Sequence, residues 1–117
     1  MVKDRTNKYY TELLDLLNIK GSQEVMTTPA TFPFLYFQTI GMPTAARTLS
    51  NTEDAVDVTY QIEVYSNKSK EQAKDLAYKA REYMIGQGFR CSYYQPMENA
   101  ADSKIRRHVG RYDKLEV

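Results

Sequence analysis

The chain has 117 residues, with 16 basic against 15 acidic side chains and a net charge of +1. That length holds one domain rather than two, and a charge so near zero argues against a polycation built to grip nucleic acid along its whole length. The one cysteine, Cys91, excludes an internal disulfide and suits a reducing compartment.

Hydrophobic residues make up 42% of the chain and charged residues 26%, a balance that supports a packed core. Residues 1–10 lack the apolar stretch of a signal peptide, and no apolar run approaches the ~20 residues needed to span a bilayer. The expected setting is therefore the cytoplasm, without membrane contact. Ten tyrosines and no tryptophan suit either a β-rich domain or one with interfaces to form, because tyrosine buries area while keeping a polar tip.

Residues 4–18 read as a helix. Tyr10, Leu13, Leu14 and Leu17 recur at helical spacing, and Gly21 is the expected stop. Residues 31–40 read as a strand apolar on both faces, with Pro33 placing its start at an edge or outside the ladder. Residues 41–55 show no period and read as a long loop, either a solvated connection or an arm that orders against a partner. Residues 56–65 alternate, with Val56, Val58, Tyr60, Ile62 and Val64 on one face and a wetter face opposite.

Ser69 and Gln72 form a capping-box pattern opening a second helix, with Ala73, Leu76, Ala77, Ala80 and Met84 along one face and Gly86 and Gly88 at its end. Residues 89–97 read as a strand interrupted by Pro96. Residues 104–117 read as the last strand, with Ile105, Val109, Leu115 and Val117 in one phase together with Arg111 and Asp113, and the two form a hairpin. The expected fold is a single α+β domain over 1–117. Its sheet is small, antiparallel or mixed, of about four strands, with two main helices packed on one face.

Chemistry-bearing constellations are sparse. His108 and Cys91 are each the only residue of their kind, which rules out a multi-histidine metal site or a cysteine zinc cluster built within the chain. A Cys91–His108 nucleophile pair is conceivable if the two strands adjoin, though a buried thiol and a surface histidine are favoured. Gly86 and Gly88 follow a helix instead of opening one, so they read as turn glycines and not as a phosphate loop. Glu53, Asp54 and Asp57 cluster without the ligand count of a calcium loop and read as a solvated segment.

Lys104, Arg106, Arg107, Arg111 and Lys114 form the densest basic stretch. Alternation places Arg107 and Arg111 on one face of the strand, and Arg106 and Lys114 on the other. A solvated strand, inter-subunit ion pairs and phosphate contacts all remain open for it. No catalytic residue, metal ligand or cofactor is assigned.

The stretch from VTYQIEVYSNKSKEQA through GQGF to the N..D turn and R…RY strand has a layout that resembles small neck and tail proteins of long-tailed bacteriophages, in the tail terminator and tail-completion (head–tail joining) group. The resemblance covers half to two-thirds of the chain. It implies a non-enzymatic structural subunit of the virion, assembled in the host cytoplasm as a ring, commonly a hexamer. Its partners would be copies of itself and tail-tube or head-connector proteins, with DNA passing transiently through the ring.

The resemblance points to Asn99, Asp102, Arg107, Arg111 and Tyr112 as turn and strand positions to follow. Candidate subunit or partner contacts are Arg47, Glu53, Asp54, Arg106, Arg107, Arg111 and Tyr112. The alternative is a small nucleic-acid-binding module using the basic C-terminal strand with Tyr93 and Tyr94 beside it.

Overall fold

The computed structural model describes residues 5–23, 32–41, 56–98 and 105–116. Their order is α1 (Thr6–Leu17), β1 (Lys20–Ser22), β2 (Phe34–Gly41), β3 (Val56–Ser66), α2 (Lys70–Gly86), β4 (Arg90–Glu98) and β5 (Arg106–Glu116). The strands form one mixed sheet in the order β1-β2-β3-β5-β4, parallel between β1 and β2 and antiparallel elsewhere. The architecture is α+β, with five strands where the sequence suggested about four.

The additional strand is β1. Gly21 is not the helix stop expected of it. Asn18 ends α1 in the left-handed region (φ 54°, ψ 47°), and Gly21 pairs with Leu35 inside the sheet. A side chain at position 21 would run into the Leu35 carbonyl and the Leu14 side chain, so the close approach of α1 to β1 explains the glycine.

The start of α2 follows its sequence signal. Ser69 Oγ accepts from the Gln72 amide at 3.0 Å, satisfying one free donor of the first turn. The Gln72 side-chain oxygen does not complete the box and instead accepts from Ser66 Oγ. At the other end Gly88 takes φ 94°. Its amide bonds the Ile85 carbonyl and the Phe89 amide bonds the Met84 carbonyl, both at 3.0 Å. This is a Schellman closure, and it drops Phe89 into the core.

Both helices contact one sheet face, and the main core lies between. Val58, Tyr60, Ile62 and Val64 of β3 and Leu35 and Phe37 of β2 meet Tyr9, Leu13 and Leu17 of α1 and Ala77, Ala80 and Met84 of α2. The small alanines let α2 sit close to the strands. At the centre, the Phe89 ring meets Tyr9 edge-on at 5.1 Å, and Tyr60 lies 4.8 Å from Phe37.

The expectation that β2 is apolar on both faces holds, because Phe34 and Tyr36 form a second cluster with Tyr65 and Ile105 on the opposite face. The expectation of a wetter second face on β3 holds only in part, since Glu63 and Tyr65 are both buried. Strand β4 runs through Pro96 without ending there. It is an edge strand, and a missing amide donor is tolerated on an edge.

The phase expected for β5 holds over its described positions. Pairing with β3 turns Arg106, His108, Gly110, Tyr112 and Lys114 toward the helices, and Arg107, Val109, Arg111 and Asp113 away from them. Among the described residues, no helix is long and apolar enough to cross a membrane.

Candidate functional site

The face of β3, β5 and β4 opposite the two described helices carries side chains that hold one another in place. Arg111 stands opposite Gln61 across the β3–β5 ladder, and its Nε donates to Gln61 Oε1 at 2.7 Å. Gln61 Nε2 donates to Glu63 Oε2 at 3.1 Å. The other carboxylate oxygen of Glu63 accepts from Arg107 Nη1 at 3.1 Å and from the Tyr65 hydroxyl at 3.2 Å.

Glu63 is only 5% exposed, so its charge is compensated by three donors away from bulk water. Burial, and then the neighbouring Glu63 charge, push the Tyr65 phenol above its ordinary pKa, which keeps it a donor.

Strand β4 continues the array. The Arg111 guanidinium lies 5.7 Å from the Tyr93 ring centroid, a cation–π distance. A bulge at Ser92 carries Tyr93 to this face, while Tyr94 turns to the other and packs at a tilt against the His108 ring, centroids 4.3 Å apart. The two tyrosines therefore do not form one stacking platform.

Near the end of β5, Asp113 accepts from Arg90 Nη2 at 2.6 Å and from Ser92 Oγ at 2.8 Å. Burial raises the pKa of this carboxyl, but the Arg90 and Ser92 donors outweigh burial and hold it below the ordinary value.

The sequence-based candidates thus divide. Arg107 and Arg111 share the face opposite the two described helices, as alternation placed them, and Arg106 and Lys114 take the helix side. Lys114 bonds the Gln87 carbonyl at 2.7 Å and covers the Phe89 ring, so it serves as a lid on the core. Tyr112 is corrected from contact residue to core residue, being 1% exposed beneath the helices. Arg47, Glu53, Asp54, Asn99, Asp102, Lys104 and the 42–55 segment lie outside the described residues.

Cys91 stands opposite Tyr112, and His108 opposite Pro96. Four positions of strand separate them, roughly 13 Å, so the two do not form a nucleophile pair. Among the described residues, no group of three potential metal ligands is assembled.

Sequence reasoning missed Glu63 and Gln61 as the residues that fix the arginines. The one available signal was their period-two spacing on the polar face of β3. It also missed Lys70 and Lys74, which gather with Tyr94 around Arg106 and His108. The Lys70–Lys74 spacing of one helical turn was the readable hint.

No protein-family model matches this chain, and no curated protein matches it in sequence.

Proposed function

We propose that the chain is a structural subunit of a bacteriophage neck or tail, forming a ring that terminates the tail tube or joins head to tail. The observation that carries this reading is the ordered Arg111–Gln61–Glu63–Arg107 array on the sheet face opposite the two described helices. Side chains already fixed by one another lose little freedom when a partner docks, and arginine and tyrosine are favoured at protein contacts.

Among the described residues the sheet also ends in two different edge strands, β1 on one side and β4 on the other. Unlike surfaces on opposite sides suit the head-to-tail contacts of a closed ring. The layout from the 56–65 strand to the last hairpin adds its resemblance to tail terminator and head–tail joining proteins.

A nucleic-acid module using the C-terminal strand is less well supported. Arg107 is tied to Glu63, Arg111 to Gln61 and Lys114 to a carbonyl, and Tyr93 and Tyr94 face opposite ways.

Light scattering over a concentration series, electron microscopy for rings, and co-sedimentation with phage tail tubes test the proposal. Rings, or protein capping the tube ends, are expected. A strict monomer at every concentration that also leaves tail tubes bare would overturn it.

A further inference from the structure

The cations on the helix side of β5 belong to a different feature. Arg106 and His108 face α2, where Lys70 and Lys74 stand one turn apart. With Tyr94 and Arg107 they line a pocket of about 540 Å³ between the start of α2, the end of β4 and the start of β5. That size is within the ~300–1,000 Å³ typical of small-ligand sites.

Two independent observations distinguish it from a packing gap. The first is charge. Among the described residues the lining has four basic side chains and no acidic one. Arg107 is committed to Glu63, while Lys70, Lys74 and Arg106 have no ion-pair partner among the described residues. Gathered like charges repel, and an anion among them removes that repulsion.

The second is unpaired polar atoms. His108 is only 4% exposed, yet its Nδ1 has no hydrogen-bond partner, and neither does the buried hydroxyl of Tyr94 packed beside it. Buried polar atoms are normally paired, and the orphaned imidazole nitrogen of a residue that lines the pocket points to a ligand that would pair it. Ala73, Pro96 and Met97 supply an apolar wall alongside.

We propose that this pocket binds a phosphate monoester carried on a small planar or apolar body, such as a nucleoside monophosphate. A phosphate monoester brings close to two negative charges and three terminal oxygens. That matches the three cations Lys70, Lys74 and Arg106 better than the single charge of a carboxylate does. The body of the ligand lies against Ala73, Pro96 and Met97. The proposal is independent of ring assembly, and a monomer would bind equally well.

The test is calorimetric titration of the full chain at low salt with adenosine 5′-monophosphate, with adenosine, and with a 5′-phosphorylated oligodeoxynucleotide. NMR of the imidazole runs alongside, and His108 as the only histidine gives an unambiguous signal. Adenosine 5′-monophosphate is expected to bind and shift the His108 ring resonances, and adenosine is not.

Lys74→Gln and Arg106→Gln should each weaken binding by about tenfold or more, as expected for loss of a charge-assisted hydrogen bond. Lys79→Gln, on α2 outside the pocket, should leave it unchanged. Binding of the phosphorylated oligonucleotide in place of the free nucleotide, with the same variant pattern, also supports the site and identifies a strand end as the source of the phosphate. Equal binding of adenosine, insensitivity to both Lys74→Gln and Arg106→Gln, or no binding by any phosphate compound overturns the proposal.

Discussion

The hydroxyl of Tyr112 occupies the space that a side chain at Gly110 would fill. Both residues face the helices from β5, and a Cβ at position 110 would overlap the Tyr112 hydroxyl and come within 2.9 Å of its ring. Tyr112 is 1% exposed, so its ring is enclosed in the core. Gly110→Ala should therefore destabilise the fold by about 1–3 kcal/mol, the usual range for overpacking a core. Urea unfolding measures this, and a double-mutant cycle with Tyr112→Phe should show strong coupling between the positions.

The two glycines at the end of α2 should respond with opposite signs. Gly88 has φ 94° and closes the Schellman motif, so Gly88→Ala should destabilise by about 1 kcal/mol through backbone strain. Gly86 is the last helical residue, and an added Cβ there meets nothing within 4 Å. Gly86→Ala should stabilise by about 0.5–1 kcal/mol. Thermal melts of the pair decide the matter, and equal effects would contradict the cap assignment.

Removing one member of the Glu63–Arg107 pair should be more harmful than altering an exposed pair. Glu63 is 5% exposed, and its carboxylate would be left with its largest counter-charge gone. Arg107→Ala should cost about 3 kcal/mol. Arg81→Ala, which breaks the exposed contact with Glu82, should cost under about 1 kcal/mol through that contact. Chemical denaturation of both variants tests the contrast.

His108 gives the fold a defined response to acid. Burial, and then the charge of Lys74, hold its pKa below 6.5 in the folded state. The unfolded chain therefore takes up a proton more readily. Stability should fall as pH drops below about 6.5 toward the lower folded-state pKa, and level off with respect to this group below it. His108→Gln should flatten that part of a stability–pH curve, and an unchanged curve would remove His108 as the cause.

Arg111 is exposed, and Gln61 and Tyr93 hold it on the proposed contact face. Arg111→Glu should weaken self-association or tail-tube binding about tenfold or more while shifting stability by less than about 1 kcal/mol. Sedimentation velocity and a thermal melt read the two effects separately.

Much of the scaffold was legible because local rules and tertiary demands agree there. The strict alternation of 56–65 is β3, and Ser69 with the alanine face beyond it is α2. Strand β1 was illegible, because Lys20, Gly21 and Ser22 carry no pattern and become a strand only through parallel pairing with β2.

The phase of β5 was readable, but which of its faces meets the helices was not. Its helix-facing positions are His108, Gly110 and Tyr112 flanked by two cations, while apolar Val109 is buried on the opposite face. A search for aliphatic residues therefore does not identify the helix-packed side. The arginine faces were readable from alternation alone. Their partners were not, because Gln61 lies directly opposite Arg111 and Glu63 diagonally from Arg107, a relation that exists only once the register is set.

The sheet's two outer margins are unequal, three residues at β1 and nine at β4. A row of copies joined margin to margin would therefore run one way only, with every molecule presenting its long side forward and its short side behind. Such a row has a leading and a trailing end, and what stops its growth at one need not stop it at the other.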